Sequence, residues 1–326
     1  MKPKILITGG AGYIGSHTAL FLYQKGFDIL IIDDFSQEQK FKHSWANVIK
    51  SDFSDEKVLN NIFKKNKIEA VMHFAASIEV SQSIKSPLDF YNNNVSKTIK
   101  LLNAMVKNGI KKIIFSSSCA VYGNPEYLPL NEEHPTKPIN PYGRCKLIIE
   151  EILKDLNNAY GLNYVSLRYF NAAGALPEFS LGEQHKTESH LIPLLIKHSN
   201  LNLPFNIYGT DYPTKDGTCI RDFIHVMDIA QAHWLALKHL NDNNPSDFFN
   251  LGTGQGFSIK EIINSFENIY NVKLNVINSK KREGDAPILV ADYAKAKNIL
   301  KWSPHNSNLE NILRSAYIFE KNRFLI

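Results

Sequence analysis

The sequence predicts an α/β protein with a doubly wound parallel sheet, followed by a smaller mixed α/β lobe. Short apolar strands alternate with amphipathic helices through the first half of the chain. A glycine-rich turn separates the first strand from the first helix, and small or polar residues follow several later strands. Such alternation favours a parallel sheet with helices on both of its faces.

The length of 326 residues suggests about two domains. Beyond about residue 175 the alternation loosens, and proline, glycine and asparagine become frequent. We therefore expect a nucleotide-binding domain over residues 1–175 and a substrate domain over residues 176–326. Part of roughly 215–255 is expected to return to the first domain.

The glycine-rich turn has the form of a phosphate-binding loop. Lys4–Thr8 is predicted as a buried strand, and Tyr13–Gln24 as an amphipathic helix. Gly9, Gly12 and Gly15 follow the strand with the spacing G-x-x-G-x-x-G. Glycine lets the backbone turn tightly and approach a pyrophosphate, and the helix N-terminus offers free N–H groups to the anion. This predicts a Rossmann-type dinucleotide site, with an ordinary glycine-rich turn as the alternative.

A carboxylate stands at the end of the next predicted strand. Asp28–Ile32 forms that strand, and Asp33 follows it. An acid about 20 residues after the glycines is placed to bind the ribose 2′-hydroxyl of a dinucleotide. A 2′-phosphate would face Asp33 and Asp34, with no arginine nearby to neutralise it. The sequence therefore predicts NAD rather than NADP.

Later strands bring small and polar residues toward the same edge of the sheet. They are predicted at Ala70–Phe74, Lys112–Ser116 and Tyr164–Arg168, and a helix between the first two carries Val95, Ile99, Leu102 and Val106 on one face. Ligands of such sheets bind beyond the carboxyl ends of the strands. We therefore expect Gly9–Gly15, Ala75–Ser77 and Ser116–Ser118 to line one crevice.

A tyrosine and a lysine one helical turn apart are the candidate catalytic pair. Asn140 is a suitable N-cap and Pro141 suits the first helical position, so Tyr142 and Lys146 share one face of a helix. A tyrosine with a pKa near 10 is a weak base at neutral pH, but a neighbouring ammonium and a positive nicotinamide would lower that pKa. Ser118 could bridge a substrate hydroxyl and the tyrosine. The alternative is a surface i,i+4 pair.

Composition excludes several other classes of protein. With 44% apolar and 21% charged residues, the chain is typical of soluble globular proteins. No apolar run approaches the roughly 18 residues that cross a membrane, and no signal peptide is recognised, so a cytoplasmic location is expected. The net charge of +5 is scattered, which argues against a nucleic-acid partner.

No metal site is expected from the spacing of the usual ligands. The three cysteines form no C-x-x-C pair, and the eleven histidines show no H-x-x-x-H spacing. His73, His225 and His233 are interpreted as packed or surface residues instead.

Many segments occur in an order that resembles the extended short-chain dehydrogenase/reductases. They are GGAGYIGSHT, HFAAS, YNNNVS, FSSSCAVYG, NPYGRCK, LRYFNAAGA, DYPTKDGTCIRDFIHVMD, FNLGTG and KREGDAP. Within that superfamily the likeness is to the UDP-glucose/UDP-galactose 4-epimerases, and it covers nearly the whole chain. The resemblance implies resident NAD, a UDP-hexose substrate, a homodimer and a catalytic set of Ser118, Tyr142 and Lys146.

The resemblance also implies two sets of binding residues. The cofactor set is Gly9, Gly12, Tyr13, Ile14, Gly15, Asp33, Asp52, Phe53, Phe74, Ala75, Asn94, Tyr142, Lys146 and Tyr169. The substrate set is Ser118, Asn171, His190, Leu191, Tyr208, Arg221, Arg282, Asp285 and Leu289. Tyr208 would pack on uracil, Asp285 would bind the uridine ribose, and the two arginines would neutralise the diphosphate, a task that suits guanidinium geometry. Without the family, surface ion pairs of Arg221 with Asp222 and of Arg282 with Glu283 would be the simpler interpretation.

The implied reaction is epimerisation at C4 through a transient 4-keto sugar, with the tyrosine as the base. Two departures from the enterobacterial pattern are Ile78, where that type has a lysine, and His190, where it has an asparagine. Leu289 occupies a position at which tyrosine excludes N-acetyl groups and smaller residues admit them. Leucine therefore predicts that N-acetylated hexoses are accepted as well.

Two other functions remain alternatives at this point. A nucleotide-sugar dehydratase, decarboxylase or reductase would share the fold, but dehydratases usually carry an Asp-Glu pair where this chain has Ser118-Cys119. A dinucleotide-sensing binding protein would typically lose the Tyr/Lys pair. The expected homodimer would form through helices such as Asn93–Lys107 and Pro141–Ala159, which carry more apolar residues than one buried face needs.

Overall fold

The computed structural model describes residues 2–37, 41, 43–186, 188–282 and 284–324. The strands are β1 (Lys4–Thr8), β2 (Asp28–Asp33), β3 (Asn47–Lys50), β4 (Ile68–His73), β5 (Lys112–Ser118), β6 (Asn163–Tyr169), β7 (Asn171–Ala173), β8 (Phe205–Tyr208), β9 (Ile220–His225), β10 (Asp247–Leu251), β11 (Gly256–Ser258), β12 (Val276–Ser279) and β13 (Ile288–Leu289).

The helices are α1 (Tyr13–Gln24), α2 (Glu56–Lys65), α3 (Val80–Lys85), α4 (Pro87–Phe90), α5 (Lys97–Lys107), α6 (Pro141–Tyr160), α7 (Leu191–Asn200), α8 (Val226–Asn241), α9 (Ile259–Tyr270) and α10 (Leu309–Phe324). Tyr91–Ser96 and Ala296–Leu300 form π-helical turns, and Cys119–Val121 and Pro177–Phe179 form 3-10 turns.

Seven parallel strands form the main sheet in the order β10-β6-β5-β4-β1-β2-β3. The order reverses between β1 and β4, which is the topological switch point where doubly wound sheets bind ligands. At this point the backbone N–H groups of Phe74 and Ala75 donate to the carbonyl of Thr8 at 3.0 and 3.2 Å. The predicted fold class is confirmed, and the loops after β1 and β4 meet as expected.

Helices cover both faces of this sheet. On one face, apolar residues of α1 and α8 pack with β1, β2, β6 and β10 in a single core cluster. On the other face, α2, α5 and α6 pack on β1, β2, β4, β5 and β6. Because both faces are covered, the central strands are apolar throughout rather than alternating.

The smaller lobe is built around short strands and three helices. Strand β9 pairs with β7, β11 and β13, and β8 pairs with β12 in a separate ladder. Helices α7, α9 and α10 bury apolar residues against these strands in a third core cluster. This lobe approaches the carboxyl ends of the main sheet because β7 follows β6 after a single residue.

The observed element boundaries agree closely with the predicted ones where glycine or a capping residue marks the end of an element. The first strand and first helix occupy the predicted residues, and Gly26 follows the helix with φ +93°. Strand β5 runs two residues beyond the prediction because Ser117 and Ser118 continue the ladder with Arg168 and Tyr169 of β6. The helix expected around residues 95–106 is observed as α5, which begins at Lys97, and the π-helical turn Tyr91–Ser96 directly precedes α5.

Part of the chain from the second half joins the main sheet. Strand β10 lies at one edge beside β6, and helix α8 packs against α1. The predicted domain boundaries themselves stay a prediction. Among the residues that the structure describes, no helix combines the length and apolarity needed to cross a membrane.

Candidate active site

The glycine loop has the close backbone contacts that a pyrophosphate site requires. Gly9 adopts φ +67°, and a Cβ there would lie 2.6 Å from the backbone nitrogen of Ala75. A Cβ on Gly15 would lie 2.3 Å from the carbonyl oxygen of Gly9. Side chains at these positions would force the loop open, so only glycine keeps the backbone N–H groups at the start of α1 accessible to an anion. The loop therefore fits a dinucleotide.

Asp33 is held at the end of β2 by two backbone donors. Its carboxylate accepts from the N–H of Ala11 at 3.0 Å and from the N–H of Phe35 at 2.9 Å. Burial raises the pKa of Asp33, and these N–H groups oppose the rise. A fixed carboxylate beside the glycine loop suits ribose hydroxyls.

Other residues of the predicted cofactor set shape the same edge of the sheet. Asn94 is buried and forms two hydrogen bonds with the loop after β4. Its Oδ1 accepts from Ser77 N at 2.7 Å, and its Nδ2 donates to Ser77 O at 2.9 Å. Tyr13 donates to the carbonyl of Gly174 at 2.6 Å. Asp52 pairs with Lys97 at 2.6 Å. Further members are Ile14, Phe53, Phe74 and Ala75, of which Phe53 is buried in the core with its ring tilted against that of His73 at 5.2 Å between centroids.

The candidate catalytic helix begins as the sequence predicts. Asn140 Oδ1 accepts from Gly143 N at 2.8 Å and caps α6, and Pro141 occupies its first turn. Gly143 allows the helix to press against the turn after β5, since a Cβ there would lie 2.3 Å from the carbonyl oxygen of Ala120. This contact brings Tyr142 into hydrogen-bonding range of Ser118.

Lys146 is buried beneath the tyrosine. Its Nζ donates to Ser116 O at 2.6 Å and lies 5.7 Å from the ring centroid of Tyr142. Burial lowers the pKa of Lys146 to about 8, although Cys145 and Glu150 favour its charged form. Tyr142, Lys146 and Ser118 are thus brought together, as the sequence predicts.

Burial is the largest influence on the pKa of Tyr142 within the polypeptide. Burial raises the pKa of Tyr142 to about 12, and the hydrogen bond with Ser118 only partly opposes this. The ammonium of Lys146 is bound to a carbonyl rather than to the phenol oxygen, so the polypeptide alone does not lower the pKa. Any lowering has to come from further positive charge beside the ring.

Polar contacts that the sequence did not identify hold the end of β5. Tyr169 hydrogen-bonds Ser116 through their hydroxyl groups. Ser117 donates to Glu150 at 2.5 Å, and Arg168 forms a buried ion pair with the same carboxylate at 2.5 Å. Every serine of the Ser116–Ser118 run therefore has a partner that orients the strand end. The sequence signal was the position of Glu150, one turn after Lys146 on the same helix face.

The predicted substrate residues gather around β9. Leu289 pairs in register with Arg221, and Asp285 lies 3.9 Å from the guanidinium of Arg221. Arg282 stacks over the Tyr208 ring, with its guanidinium carbon 3.8 Å from the ring centroid. Asn171 begins β7 beside Phe223 of β9. Leu289 packs on the cluster of Cys119, Val121 and Tyr122, so the wall that Leu289, Arg221 and Asp285 form around β9 lies beside the end of β5.

The simpler ion-pair interpretation of these arginines does not hold for Arg221. Asp222 points away and accepts from Thr253 N at 2.8 Å, Gly254 N at 3.0 Å and Ala291 N at 3.2 Å. Asp222 therefore closes a turn, while Arg221 donates to Ile220 O at 2.9 Å and pairs with Asp285 at 3.9 Å instead. Glu283 lies outside the described residues.

His190 and Leu191 stand at the start of α7, where a cluster appears that the sequence did not predict. Two Glu-x-His pairs, five residues apart in sequence, converge there: Glu183, His185, Glu188 and His190. We call these four side chains the Glu/His cluster. Burial alone would lower the pKa of His190, but the carboxylates of Glu183 and Glu188 have the larger effect and raise it to about 10. The repeated Glu-x-His spacing is the signal that could have revealed the cluster.

The three histidines interpreted as packed or surface residues are all packed. His73, His225 and His233 are buried, with at most 4% of their surface exposed.

Known proteins match this chain over nearly its whole length. The model of the NAD dependent epimerase/dehydratase family matches residues 5–252. A UDP-glucose 4-epimerase of Halalkalibacterium halodurans is 44% identical over 318 residues, which cover 97% of this chain and 95% of that protein. This chain belongs to the UDP-glucose 4-epimerase family. The enzyme is NAD-dependent, as the glycine loop and Asp33 indicate.

Solved structures give the same result for the epimerase fold. UDP-glucose 4-epimerase from Brucella ovis in complex with NAD superposes with a TM-score of 0.92 at 44% identity and covers 97% of both chains. The UDP-Glc/GlcNAc 4-epimerase from Campylobacter jejuni superposes with a TM-score of 0.83 at 40% identity, covering 98% of this chain and 99% of that one. The first of these relatives binds the cofactor that the sequence predicts.

Proposed function

We propose that this epimerase interconverts UDP-glucose and UDP-galactose by transient oxidation at C4, with Tyr142 as the catalytic base. The observation that carries the proposal is the arrangement at the end of β5. The Ser118 hydroxyl lies close enough to Tyr142 to lower its pKa, and the Lys146 ammonium sits 5.7 Å from the tyrosine ring. The three polar groups therefore stand together at one place.

In the proposed reaction the phenolate of Tyr142 takes the proton of the sugar 4-hydroxyl, directly or through Ser118. Bound NAD supplies the acceptor, and later the donor, of the hydride that leaves and re-enters at C4. The resulting 4-keto sugar turns about its bond to the diphosphate and presents its opposite face. Tyr142 then returns the proton to the C4 oxygen, which inverts the configuration with no net redox change.

Lys146 has two roles in this proposal. Its buried ammonium adds positive potential beside Tyr142, which favours the phenolate once further positive charge is present. Its helical position also suits a hydrogen bond to the nicotinamide ribose. The bond to Ser116 O holds the ammonium in place for both tasks.

The proposal assigns the UDP moiety to the wall around β9. Arg221 and Arg282 would neutralise the diphosphate, and Asp285 would bind the ribose. The cation–π contact of Arg282 with Tyr208 supports a shared role, because a planar guanidinium and an aromatic ring are both suited to a nucleotide. Asn171, His190 and Leu191 would contact the sugar nucleotide from the other side. Firm anchoring of UDP leaves the sugar free to turn.

We also infer that N-acetylated substrates are accepted. Leu289 is partly buried, and it packs on the same cluster of Cys119, Val121 and Tyr122 as Leu147 of the catalytic helix, so we infer that the size of its side chain limits the space on that side of the helix. Leucine leaves more room there than tyrosine would. The similarity to a UDP-Glc/GlcNAc 4-epimerase at 40% identity supports this inference.

A homodimer through α5 and α6 is part of the proposal. Both helices lie on the same face of the sheet, and Ile99 on α5 is 47% exposed. Light scattering of the purified protein should give about twice the chain mass of 37.0 kDa, whereas a monomer mass would contradict this part.

The first test uses purified protein without added cofactor. UDP-glucose and UDP-N-acetylglucosamine are incubated separately, and the products are resolved by chromatography. Conversion of UDP-glucose to its galacto epimer is expected, since the NAD is resident. Lack of conversion even after NAD is supplied would contradict the proposed reaction. Conversion of UDP-glucose alone would contradict only the inference about N-acetylated sugars.

A further inference from the structure

The Glu/His cluster brings two carboxylates and two imidazoles to one point outside the catalytic residues. The four ligand atoms all lie within 4.8 Å of one another. His190 Nδ1 is 3.0 Å from Glu183 Oε1 and 3.1 Å from Glu188 Oε1, and His185 Nδ1 is 3.2 Å from Glu188 Oε2. Glu183 and Glu188 are 8% and 13% exposed, so the charges are largely removed from water.

We propose that the Glu/His cluster binds one divalent transition-metal ion. In a four-coordinate zinc site with bonds of about 2.0–2.1 Å, neighbouring ligand atoms lie about 3.4 Å apart. The four imidazole–carboxylate separations run from 3.0 to 3.8 Å, and all the ligand atoms lie within 4.8 Å of one another, so small adjustments would let them surround such an ion. Imidazole nitrogen combined with carboxylate oxygen selects Zn²⁺ or a neighbouring first-row ion over Mg²⁺ or Ca²⁺.

The surroundings of the cluster orient its ligands. The backbone N–H groups of Ser189 and His190 both donate to Glu188 Oε1 at 2.8 Å, which fixes that carboxylate. Such contacts behind a ligand are typical of metal sites in proteins. Glu320, which is buried and pairs with Arg323 at 3.5 Å, lines the same cleft as Glu183 and adds a third carboxylate. A concentration of negative charge in a protected place favours a cation.

The position of the site gives it a consequence for the enzyme. His190 caps α7, and Leu191 begins that helix. Tyr13 of the glycine-loop helix lies within the electrostatic influence of Glu183 and Glu188. A metal here would tie the first turn of α7 to the segment before it, beside the cofactor end of the molecule. We therefore expect occupancy to change stability and substrate affinity rather than the proton transfer at Tyr142.

The test measures metal binding directly on untagged, full-length protein. The protein is treated with a chelator, dialysed, and titrated with Zn²⁺, Co²⁺ or Mg²⁺. Bound metal is determined by elemental analysis, and cobalt binding by its visible absorption. We expect the protein to bind about one equivalent of Zn²⁺ or Co²⁺ and no comparable amount of Mg²⁺. The visible spectrum of the cobalt protein should be typical of nitrogen and oxygen ligands. The zinc-loaded protein should unfold at a higher temperature than the metal-free protein.

Two variants connect the binding to the cluster. His185→Gln removes one ligand, and His305→Gln, at an exposed position remote in sequence, is the matched control. His185→Gln should weaken Zn²⁺ binding at least about tenfold and lose the thermal shift, while His305→Gln should keep both. The wild-type stoichiometry and spectrum decide the question even if His185→Gln does not fold. Absence of stoichiometric binding by the wild type would overturn the proposal. Equal binding by His185→Gln would do so as well, since the metal would then lie elsewhere.

Discussion

Tyr142 shows how strongly the surroundings determine the chemistry of one side chain. Burial raises its pKa to about 12, although a lysine lies one helical turn away. One N–H of that lysine donates to the Ser116 carbonyl. Burial is therefore the largest influence on the pKa of Tyr142 within the polypeptide.

Replacing Tyr142 by phenylalanine should separate chemistry from binding. Tyr142→Phe removes the proton acceptor but keeps the ring, so turnover of UDP-glucose should fall by about 10²–10⁴-fold. Equilibrium binding of UDP and of NAD should stay close to that of the wild type. Measurement of kcat together with fluorescence titration of UDP checks this. Retained turnover would remove the tyrosine from the role of base.

Leu289 provides a prediction about specificity. Leu289→Tyr should narrow the space beside the cluster of Cys119, Val121 and Tyr122 and reduce turnover of UDP-N-acetylglucosamine at least about tenfold relative to UDP-glucose, because steric discrimination by a few atoms is worth about 1–3 kcal/mol. Leu289→Met, which conserves volume, is the control and should leave the ratio unchanged. The ratio of kcat/KM for the two substrates is the readout. An unchanged ratio in the tyrosine variant would place the selectivity elsewhere.

For individual residues, the sequence predicted which catalytic side chains lie close together but not which hydrogen bonds and ion pairs each of them forms. The Tyr142–Lys146 spacing follows from helix geometry, so their common face was predictable. The contact of Arg221 with Asp285 joins residues 64 positions apart, and the Glu/His cluster depends on how residues 183–190 fold back. Such contacts form only when distant segments of the chain pack together, and no local sequence pattern predicts them.

Strand β5 and helix α6 form the element pair on which the catalytic set depends. Glu150 of α6 accepts from Ser117 of β5, and its partner Arg168 lies on β6 and also contacts Tyr122 at 3.1 Å. This buried network joins two strands and a helix directly behind Ser118. Unpaired, either charge would be costly to bury.

Glu150→Gln should therefore destabilise the protein by about 3–5 kcal/mol, because it leaves Arg168 buried without its counter-charge. Glu151→Gln, at the exposed neighbouring position on α6, is the control and should change the free energy of unfolding little. Urea denaturation followed by circular dichroism measures both. A double variant, Glu150→Leu with Arg168→Met, should recover much of the loss. If the two single variants were equally stable, the ion pair would not support this element pair.

Element boundaries were predictable where glycine or a capping residue marks them. Asn140 and Pro141 set the start of α6, and Gly9 to Gly15 set the turn before α1. The π-helical turn at Tyr91–Ser96 was not predictable. It contains Asn94, whose side chain bonds both backbone groups of Ser77, so a contact distant in sequence accompanies the local hydrogen-bond pattern.

For the whole molecule, buried histidines predict sensitivity to acid. Burial lowers the pKa of His17 and His233 to about 4, and that of His73 to about 3. Since these pKa values lie below the usual 6.5, the unfolded chain binds more protons than the folded protein between about pH 6.5 and 4. The free energy of unfolding should fall by about 1.4 kcal/mol per histidine for each pH unit below 6.5.

Urea titrations at several values between pH 7.5 and 5.0 check this expectation. His233→Phe should reduce the slope by about a third, since its ring stacks near Phe74 and a phenyl ring preserves that contact. The exposed His305→Gln should leave the slope unchanged. Stability that is constant from pH 7 to 5 would contradict the burial of these three side chains in neutral form.

The return of β10 and α8 to the main sheet has a consequence for how such enzymes can exchange parts. A recombination event with one junction after β6 would transfer the edge strand β10 and the helix α8, which covers α1, together with the proposed substrate-binding residues. The recipient would lose part of its own nucleotide-binding core. Only an exchange with several junctions, which spares α8 and β10, could graft a new sugar pocket onto this scaffold. New specificities in this architecture are therefore reached more readily by point changes such as those at Leu289 than by swapping the lobe.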